Sequence, residues 1–268
     1  MSVVEAPPAR ERSLLRQVAL PAEHGGWGLT LEPVLLGLLV AHSWAGAALG
    51  VAAFASFLVR TPLKLAIIDR RRRQWAARSR VAAKLATAEL ALIVGTTAAA
   101  LALAGPRWLL PVAIAAPFVA VELWFDVRSR GRHLIPELCG AVGIAAAVAA
   151  IIIAAGKPAE LAAAMWLILA GRSVAAIPFV RVQIMRLRRG VASPRASDGA
   201  QVLAVAVGVA AVVLDRTALH GAVGIVAIAA VHGVWVRRPA PPAKVIGMRQ
   251  MALGLALVAL TAAGAWAA

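Results

Sequence analysis

Apolar runs of about 17 to 25 residues follow one another along almost the whole chain, and each is long enough to cross a bilayer as an α-helix. Hydrophobic residues make up 62% of the 268 residues, and the mean hydropathy is +0.83. A water-soluble chain of this length needs a polar surface that so few polar residues cannot provide. The sequence therefore predicts an all-α, polytopic membrane helix bundle.

The hydropathy pattern places about nine transmembrane helices in one membrane domain. We expect them near residues 25–42, 44–68, 81–104, 108–127, 134–155, 160–180, 199–215, 218–236 and 248–267. Short connections that contain Gly, Pro or Ser separate the runs. We predict that residues 20–268 are the transmembrane domain. Residues 1–19 form a cytoplasmic N-terminal segment, whose arginines beside leucines suit a helix on the bilayer surface.

Lysine and arginine crowd alternate connections, and this asymmetry predicts the orientation of the chain. The basic stretches are residues 70–80, 128–132, 186–195 and 237–244. The positive-inside rule makes these connections cytoplasmic, so we expect the N-terminus inside and the C-terminus outside, in the inner (plasma) membrane. Orientation and anionic headgroups account for the net charge of +16 and the pI near 11.9, so we expect no nucleic-acid partner.

Several ionisable side chains lie within or against the predicted spans, where each costs about 2.5 to 3.5 kcal/mol to insert. Arg60 and Lys64 share a helix face near the inner end of the second span. Arg172 and Arg181 are placed at the inner end of the sixth span. These four cations outnumber their nearest acids and would repel one another without an anion, so we predict that they bind one. Glu89, deeper in the third span, is expected to pair with Lys64 or Arg60.

Other charged residues surround this set. Glu122, Asp126 and Glu137 lie at the inner ends of the fourth and fifth spans, and Glu23 and His24 open the first. Glu23 or His24 could act as an acid or base if the protein catalyses a reaction. The predicted substrate-binding residues are Arg60, Lys64, Asp126, Arg128, Arg132, Glu137, Arg172 and Arg181. A simpler interpretation stays open, in which acids and bases neutralise one another between helices.

No metal or cofactor is expected. His133 lies in an inner connection, and His42 and His220 lie near the outer face, so they cannot converge with His24 on one ion. The single cysteine, Cys139, excludes an internal disulfide and lies in apolar sequence.

Several short motifs, in this order, resemble those of the YwiC-like membrane protein family. They are Leu20-Pro21 followed by Glu23-His24-Gly25 and Trp27; Phe57-Leu58 with Arg60 and Pro62; Arg128-Ser129-Arg130-Gly131-Arg132 with Pro136-Glu137-Leu138 and Gly140; and then Arg172 and Arg181. The resemblance runs from about residue 20 to residue 195. It implies a polytopic membrane protein and does not by itself imply an activity.

A more distant resemblance is to the UbiA superfamily of intramembrane prenyltransferases, which are nine-helix bundles with a cavity facing the cytoplasm. It rests on Phe125-Asp126-Val127-Arg128 and Pro136-Glu137-Leu138-Cys139-Gly140, which are similar to the connection between helices four and five of those enzymes. Asp-rich motifs in those enzymes hold Mg²⁺ and a prenyl diphosphate at the inner ends of helices two and six. This chain has Arg60, Lys64, Arg172 and Arg181 there. The resemblance therefore implies a UbiA-like architecture in which cations, instead of a metal, bind the anion.

Together these patterns predict a basic pocket, facing the cytoplasm, for a phosphorylated or prenyl-type anionic lipid. A degenerate or metal-independent UbiA-like transferase is one form of this function, and enzyme status stays open. Two other classes also stay open: a transporter of a small anionic substrate, and a non-catalytic structural membrane protein that would tolerate charge reversal at Arg60 and Arg172. The expected partners are membrane lipids, with an anionic isoprenoid or phospholipid among them.

Overall fold

The computed structural model describes Val18 and residues 24–74, 76–128 and 133–267, and these residues form nine α-helices and no β-strand. The helices are α1 (His24–Val40), α2 (Trp44–Arg71), α3 (Ala77–Ala104), α4 (Leu109–Val127), α5 (Leu134–Ala154), α6 (Ala159–Arg189), α7 (Arg195–Leu214), α8 (Leu219–Trp235) and α9 (Ala243–Ala267). Eight of them are long and apolar enough to cross a membrane, and the apolar part of α1, Trp27–Val40, is shorter. The predicted polytopic helix bundle is confirmed.

The helix ends differ most from the predicted spans where the chain becomes basic. Helix α2 continues to Arg71 and α6 to Arg189, whereas the hydropathy pattern ends at residues 68 and 180. Arginine is a good helix former and is favoured in the last turn by the helix dipole, so charge ends the apolar run without ending the helix. The 31 residues of α6 extend over roughly 46 Å, more than the hydrocarbon core is thick.

The core of the bundle lies around α5 and α6. In α6, 67% of an apolar 18-residue stretch is buried inside the protein, whereas the share is 11% in α3 and in α4. Helix α6 packs against α1, α5, α7, α8 and α9, and α5 packs against α1, α2, α4 and α6. Helix α3 packs mainly against α2, so these two helices form a hairpin at one side of the bundle.

Small residues allow the helices to approach closely. A Cβ added at Gly37 would lie 2.9 Å from the Cβ of Ile151, where α1 meets α5. A Cβ added at Gly50 would lie 2.8 Å from Val34 Cγ1, where α2 meets α1. These glycines therefore set the spacing of the helices that surround the core.

Successive helices run in opposite directions, so the α2–α3, α4–α5, α6–α7 and α8–α9 connections share one end of the bundle. We call it the arginine-rich end, because the basic stretches of the sequence lie there. Which side of the membrane it faces, and in which membrane, stays a prediction.

Candidate functional site

Two predicted cations of α2 form ion pairs with two acids of α4. Arg60 Nη1 lies 2.7 Å from Glu122 Oε1, and Arg60 Nη2 lies 3.7 Å from Asp126 Oδ2. Lys64 Nζ lies 3.0 Å from Asp126 Oδ1. We call these four residues the α2–α4 cluster. The side chains of its two cations are 45% and 55% exposed on the surface of the bundle, and both lie within a candidate membrane span.

The packing of α4 on α5 explains how the carboxylate of Glu122 is positioned. A Cβ added at Gly140 of α5 would lie 2.5 Å from Glu122 Cδ, so the glycine makes room for this side chain. The prediction that Glu89 pairs with Arg60 or Lys64 is wrong, because both cations form ion pairs with the acids of α4. Glu89 Oε2 has no hydrogen-bond partner among the described residues.

Arg181 and Arg128 each contact a neighbouring side chain. Arg181 Nη1 lies 2.9 Å from Glu137 Oε2, which joins α6 to α5. The guanidinium of Arg128 stacks 3.4 Å from the centre of the Trp124 ring. Glu23, Arg132 and the side chain of His24 lie outside the described residues.

Arg172 lies in the middle of α6, farther from the arginine-rich end than the sequence placed it. Its side chain is only 3% exposed. Arg172 Nη2 donates to the backbone oxygen of Gln250 at 2.7 Å and lies 3.5 Å from Glu32 Oε1. Arg172 Nη1 donates to Gln250 Oε1 at 3.3 Å. This arginine is a buried link between α6, α1 and α9.

The expectation that Arg60, Lys64, Arg172 and Arg181 outnumber their nearest acids is wrong, because each of them has a carboxylate partner on another helix. The partners lie on α4, α1 and α5. The four cations are therefore divided between the α2–α4 cluster, the α5–α6 contact and the core. Their role in binding a ligand stays a prediction.

Hydrogen bonds continue from Arg172 and Gln250 to two further helices, α8 and α7. Gln250 Nε2 lies 3.0 Å from His232 Nε2, and His232 Nδ1 lies 3.3 Å from Gln201 Oε1. Gln201 Nε2 donates to the backbone oxygen of Ala175 at 2.9 Å. Because an amide nitrogen can only donate, His232 accepts at Nε2 and donates from Nδ1, as a neutral imidazole does. We call Glu32, Arg172, Gln250, His232 and Gln201 the buried polar chain.

A cavity of about 250 Å³ opens at the arginine-rich end beside α6, α8 and α9. We call it the basic cavity, and its lining residues are Gln183, Trp235, Arg238, Pro239, Pro241 and Arg249. A narrow extension shares four of these residues and reaches Phe179, Ile246 and Gln250. Phe179 stacks on His232 with ring centres 4.1 Å apart, and Gln250 bonds to Arg172. The cavity therefore leads to the buried polar chain.

The basic cavity has an excess of positive charge. The guanidinium of Arg249 lies over the Trp235 ring, 4.7 Å from its centre. Within the described part of the chain, neither Arg238 nor Arg249 forms an ion pair. The neighbouring Arg237, by contrast, makes two 3.0 Å contacts with the carboxylate of Asp198.

Gln183 also lines the cavity, although its side chain is almost completely buried. Its Nε2 donates to the backbone oxygen of Trp235 at 3.1 Å. Its Oε1 has no hydrogen-bond partner among the residues that the structure describes. The same described residues contain no group of three His, Cys, Asp or Glu side chains that could hold a metal ion.

Comparison with protein families gives a match over the first part of the chain. The model of the YwiC-like protein family matches residues 20–154, half of the chain. The chain belongs to the YwiC-like family. The matched part of this YwiC-like protein contains the α2–α4 cluster and Glu137, and it ends before Arg172 and the basic cavity. No curated protein and no solved structure matches the chain.

Sequence reasoning about this YwiC-like protein assigned no role to Gln183, Gln201, Gln250 or His232. Glutamine and neutral histidine carry no charge, so they do not stand out among the ionisable residues of the spans. The signal that could have found them is an amide or imidazole within each of four apolar helices: Gln183 in α6, Gln201 in α7, His232 in α8 and Gln250 in α9. Such side chains need partners within a bilayer, so several of them in one bundle indicate mutual contacts.

Proposed function

We propose that this YwiC-like protein is a membrane protein that binds a phosphorylated or carboxylated ligand in the basic cavity. The supporting observation is that Arg238 and Arg249 line one cavity without an ion pair among the described residues. Guanidinium groups bind phosphate and carboxylate oxygens through paired N–H donors. An anion between these arginines would relieve their mutual repulsion and satisfy their donors.

The place and size of the cavity suit the headgroup of an anionic lipid. Trp235 has the amphipathic ring that is typical of the membrane–water interface. The volume of about 250 Å³ is below the roughly 300–1,000 Å³ of pockets that enclose drug-sized molecules, so a compact anionic group fits better than a large ligand. Anionic phospholipids and isoprenoid phosphates present such a group at this depth.

The α2–α4 cluster is a second place where a headgroup could bind. Half-exposed charges within a membrane span need water or lipid headgroups around them. An added anion would, however, compete with Glu122 and Asp126 for Arg60 and Lys64, so we place the basic cavity first. Chemistry at Glu23 or His24, including a metal-independent UbiA-like transfer, stays a hypothesis.

Native mass spectrometry with added phosphatidic acid or phosphatidylcholine tests the proposal. We expect Arg238→Gln combined with Arg249→Gln to weaken phosphatidic acid binding by about tenfold or more, because two charge-assisted contacts are lost. The matched control is Arg237→Gln, which removes a neighbouring charge that is already paired with Asp198. Arg60→Gln with Lys64→Gln tests the α2–α4 cluster. Equal binding by the wild type and the cavity variant would contradict the proposal.

Transport of a small anion is the second candidate, and the position of Gln250 favours it. Gln250 lines the narrow extension of the basic cavity and also bonds to Arg172 in the middle of α6. Polar groups therefore continue from the arginine-rich end to mid-membrane depth, as a substrate pathway requires. Counterflow of labelled phosphate in proteoliposomes distinguishes the candidates, because a protein that only binds lipid accumulates none.

A further inference from the structure

We infer that the ligand of the basic cavity carries a hydrogen-bond donor beside its anionic oxygens, as hydrogen phosphate and a protonated phosphomonoester do. This inference rests on the proposed function, since it specifies the chemistry of the anion held by the two arginines. It narrows that function, because a carboxylate or a sulfate brings acceptors only. The residue that leads to it is Gln183.

The orientation of the Gln183 amide is fixed by its neighbour in α8. The backbone oxygen of Trp235 can only accept, so the group 3.1 Å from it must be the amide nitrogen. Within the described part of the chain, Oε1 is then the end of the side chain without a hydrogen-bond partner, and it has almost no solvent contact, so a ligand donor reaches it when the side chains around the cavity shift. The side chain is 1% exposed, and Oε1 has no partner among the described residues. A buried amide oxygen without a donor is unfavourable, which makes this atom a site for a ligand donor.

Gln183 Oε1 needs a hydrogen-bond donor, whereas the remaining polar side chains of the cavity need acceptors. Arg238 and Arg249 are donors only, and so is the indole nitrogen of Trp235. The polar side chains that line the cavity are therefore donors, two of them cationic, together with one neutral acceptor, Gln183 Oε1. A ligand that satisfies both must accept hydrogen bonds through charged oxygens and donate one from an O–H or N–H group.

Hydrogen phosphate meets this requirement with a single compact group. Its charged oxygens face the arginines, and its P–OH donates to Gln183 Oε1. Sulfate has the same tetrahedral shape and a similar charge but carries no proton near neutral pH. Comparison of the two anions therefore isolates the donor. Free phosphate and the phosphomonoester headgroup of a lipid share this chemistry and differ only in their source.

The experiment measures thermal unfolding of the purified protein in detergent with increasing potassium phosphate or potassium sulfate, at neutral pH and matched ionic strength. Ligand binding to the folded state raises the unfolding temperature and gives an apparent Kd for each anion. Both salts also stabilise proteins by exclusion from their surface, so sulfate serves as the control for that effect. We expect the wild-type Kd for phosphate to be about tenfold or more below that for sulfate.

Variants assign this preference to individual groups. In Gln183→Met, the two Kd values should come within about twofold of each other, because the acceptor is gone. In Gln183→Glu, both anions should bind more weakly, yet phosphate should stay ahead because an acceptor remains. Arg238→Gln with Arg249→Gln should lose binding of both anions, and Arg237→Gln should behave as the wild type. If Gln183→Met does not fold, the wild-type ratio and Gln183→Glu still test the inference.

The results separate this inference from the proposed function. Equal wild-type affinity for phosphate and sulfate, lost in the double arginine variant, would overturn the donor inference and leave the anion site standing. A phosphate preference that survives Gln183→Met would overturn the assignment to Gln183. Stabilisation that does not depend on the arginines would overturn both proposals.

A second experiment identifies the source of the phosphate group. The protein is reconstituted in nanodiscs of phosphatidylcholine with or without phosphatidic acid and titrated again with inorganic phosphate. A lipid headgroup in the basic cavity abolishes the response to added phosphate, whereas a site for free phosphate keeps it. Either result supports the shared phosphate chemistry, provided that the variants behave as expected.

Discussion

Gly254 determines whether Glu32 can approach Arg172. A Cβ added at Gly254 in α9 would overlap the carboxylate of Glu32, which lies between α1 and α9. We therefore expect Gly254→Ala to displace Glu32 and lower the free energy of unfolding by about 1–3 kcal/mol, the usual cost of overpacking a core. Denaturant unfolding in mixed micelles measures this change.

The control for this prediction lies in the same helix. A Cβ added at Gly247 meets no atom within 4 Å, so Gly247→Ala should leave stability unchanged or raise it slightly through the better helix propensity of alanine. If both variants destabilise the protein equally, helix flexibility rather than the space for Glu32 is the cause. The sequence identifies both glycines but does not distinguish them, because the atoms opposite them belong to another helix.

The α2–α3 hairpin is closed by a buried polar contact. Ser79 Oγ donates to Asp69 Oδ2 at 2.6 Å and accepts from the backbone nitrogen of Ala76 at 3.2 Å. Ser79 is completely buried. We expect Ser79→Ala to destabilise the hairpin by about 1–3 kcal/mol, because it leaves buried polar groups without partners. Hydrogen exchange in α2 and α3 measures this local effect.

Arg78 provides the matched control for the hairpin. It also contacts Asp69, at 3.3 Å, but its side chain is 54% exposed. Arg78→Gln should therefore cost less than about 1 kcal/mol, as exposed ion pairs do. A cost equal to that of Ser79→Ala would show that charge, and not the buried hydrogen bond, holds the hairpin together.

The orientation of the bundle decides which aqueous compartment the basic cavity faces. We predict that the arginine-rich end is cytoplasmic, from the distribution of Lys and Arg in the connections. In a Cys139→Ala background, Lys157→Cys in the α5–α6 connection should react with a membrane-impermeant maleimide in intact cells. Ser193→Cys in the α6–α7 connection should react only after permeabilisation. Both positions are exposed.

The opposite labelling pattern would contradict this orientation and place the basic cavity on the outer side. Reaction of both cysteines in intact cells would indicate leaky cells, which a cytoplasmic marker protein controls for. The proposed phosphate chemistry holds on either side of the membrane, but the phosphate source that it could meet depends on the side.

The sequence alone determined the helical class, the order of the nine helices and the end at which positive charge collects. These are local properties, since a span is defined by about 20 consecutive apolar residues and its orientation by the charges that flank it. The sequence also identified the charged residues that form the α2–α4 cluster and the pair between Arg181 and Glu137. It did not determine how they pair.

Only the tertiary structure decided the partners. Glu32 and Arg172 are 140 residues apart in the chain, and the buried polar chain joins side chains from five helices. Which side chains meet depends on how each helix is rotated about its axis, and that rotation is set by packing at positions such as Gly37 and Gly254. The basic cavity exists for the same reason, because it forms where α6, α8 and α9 leave space between them.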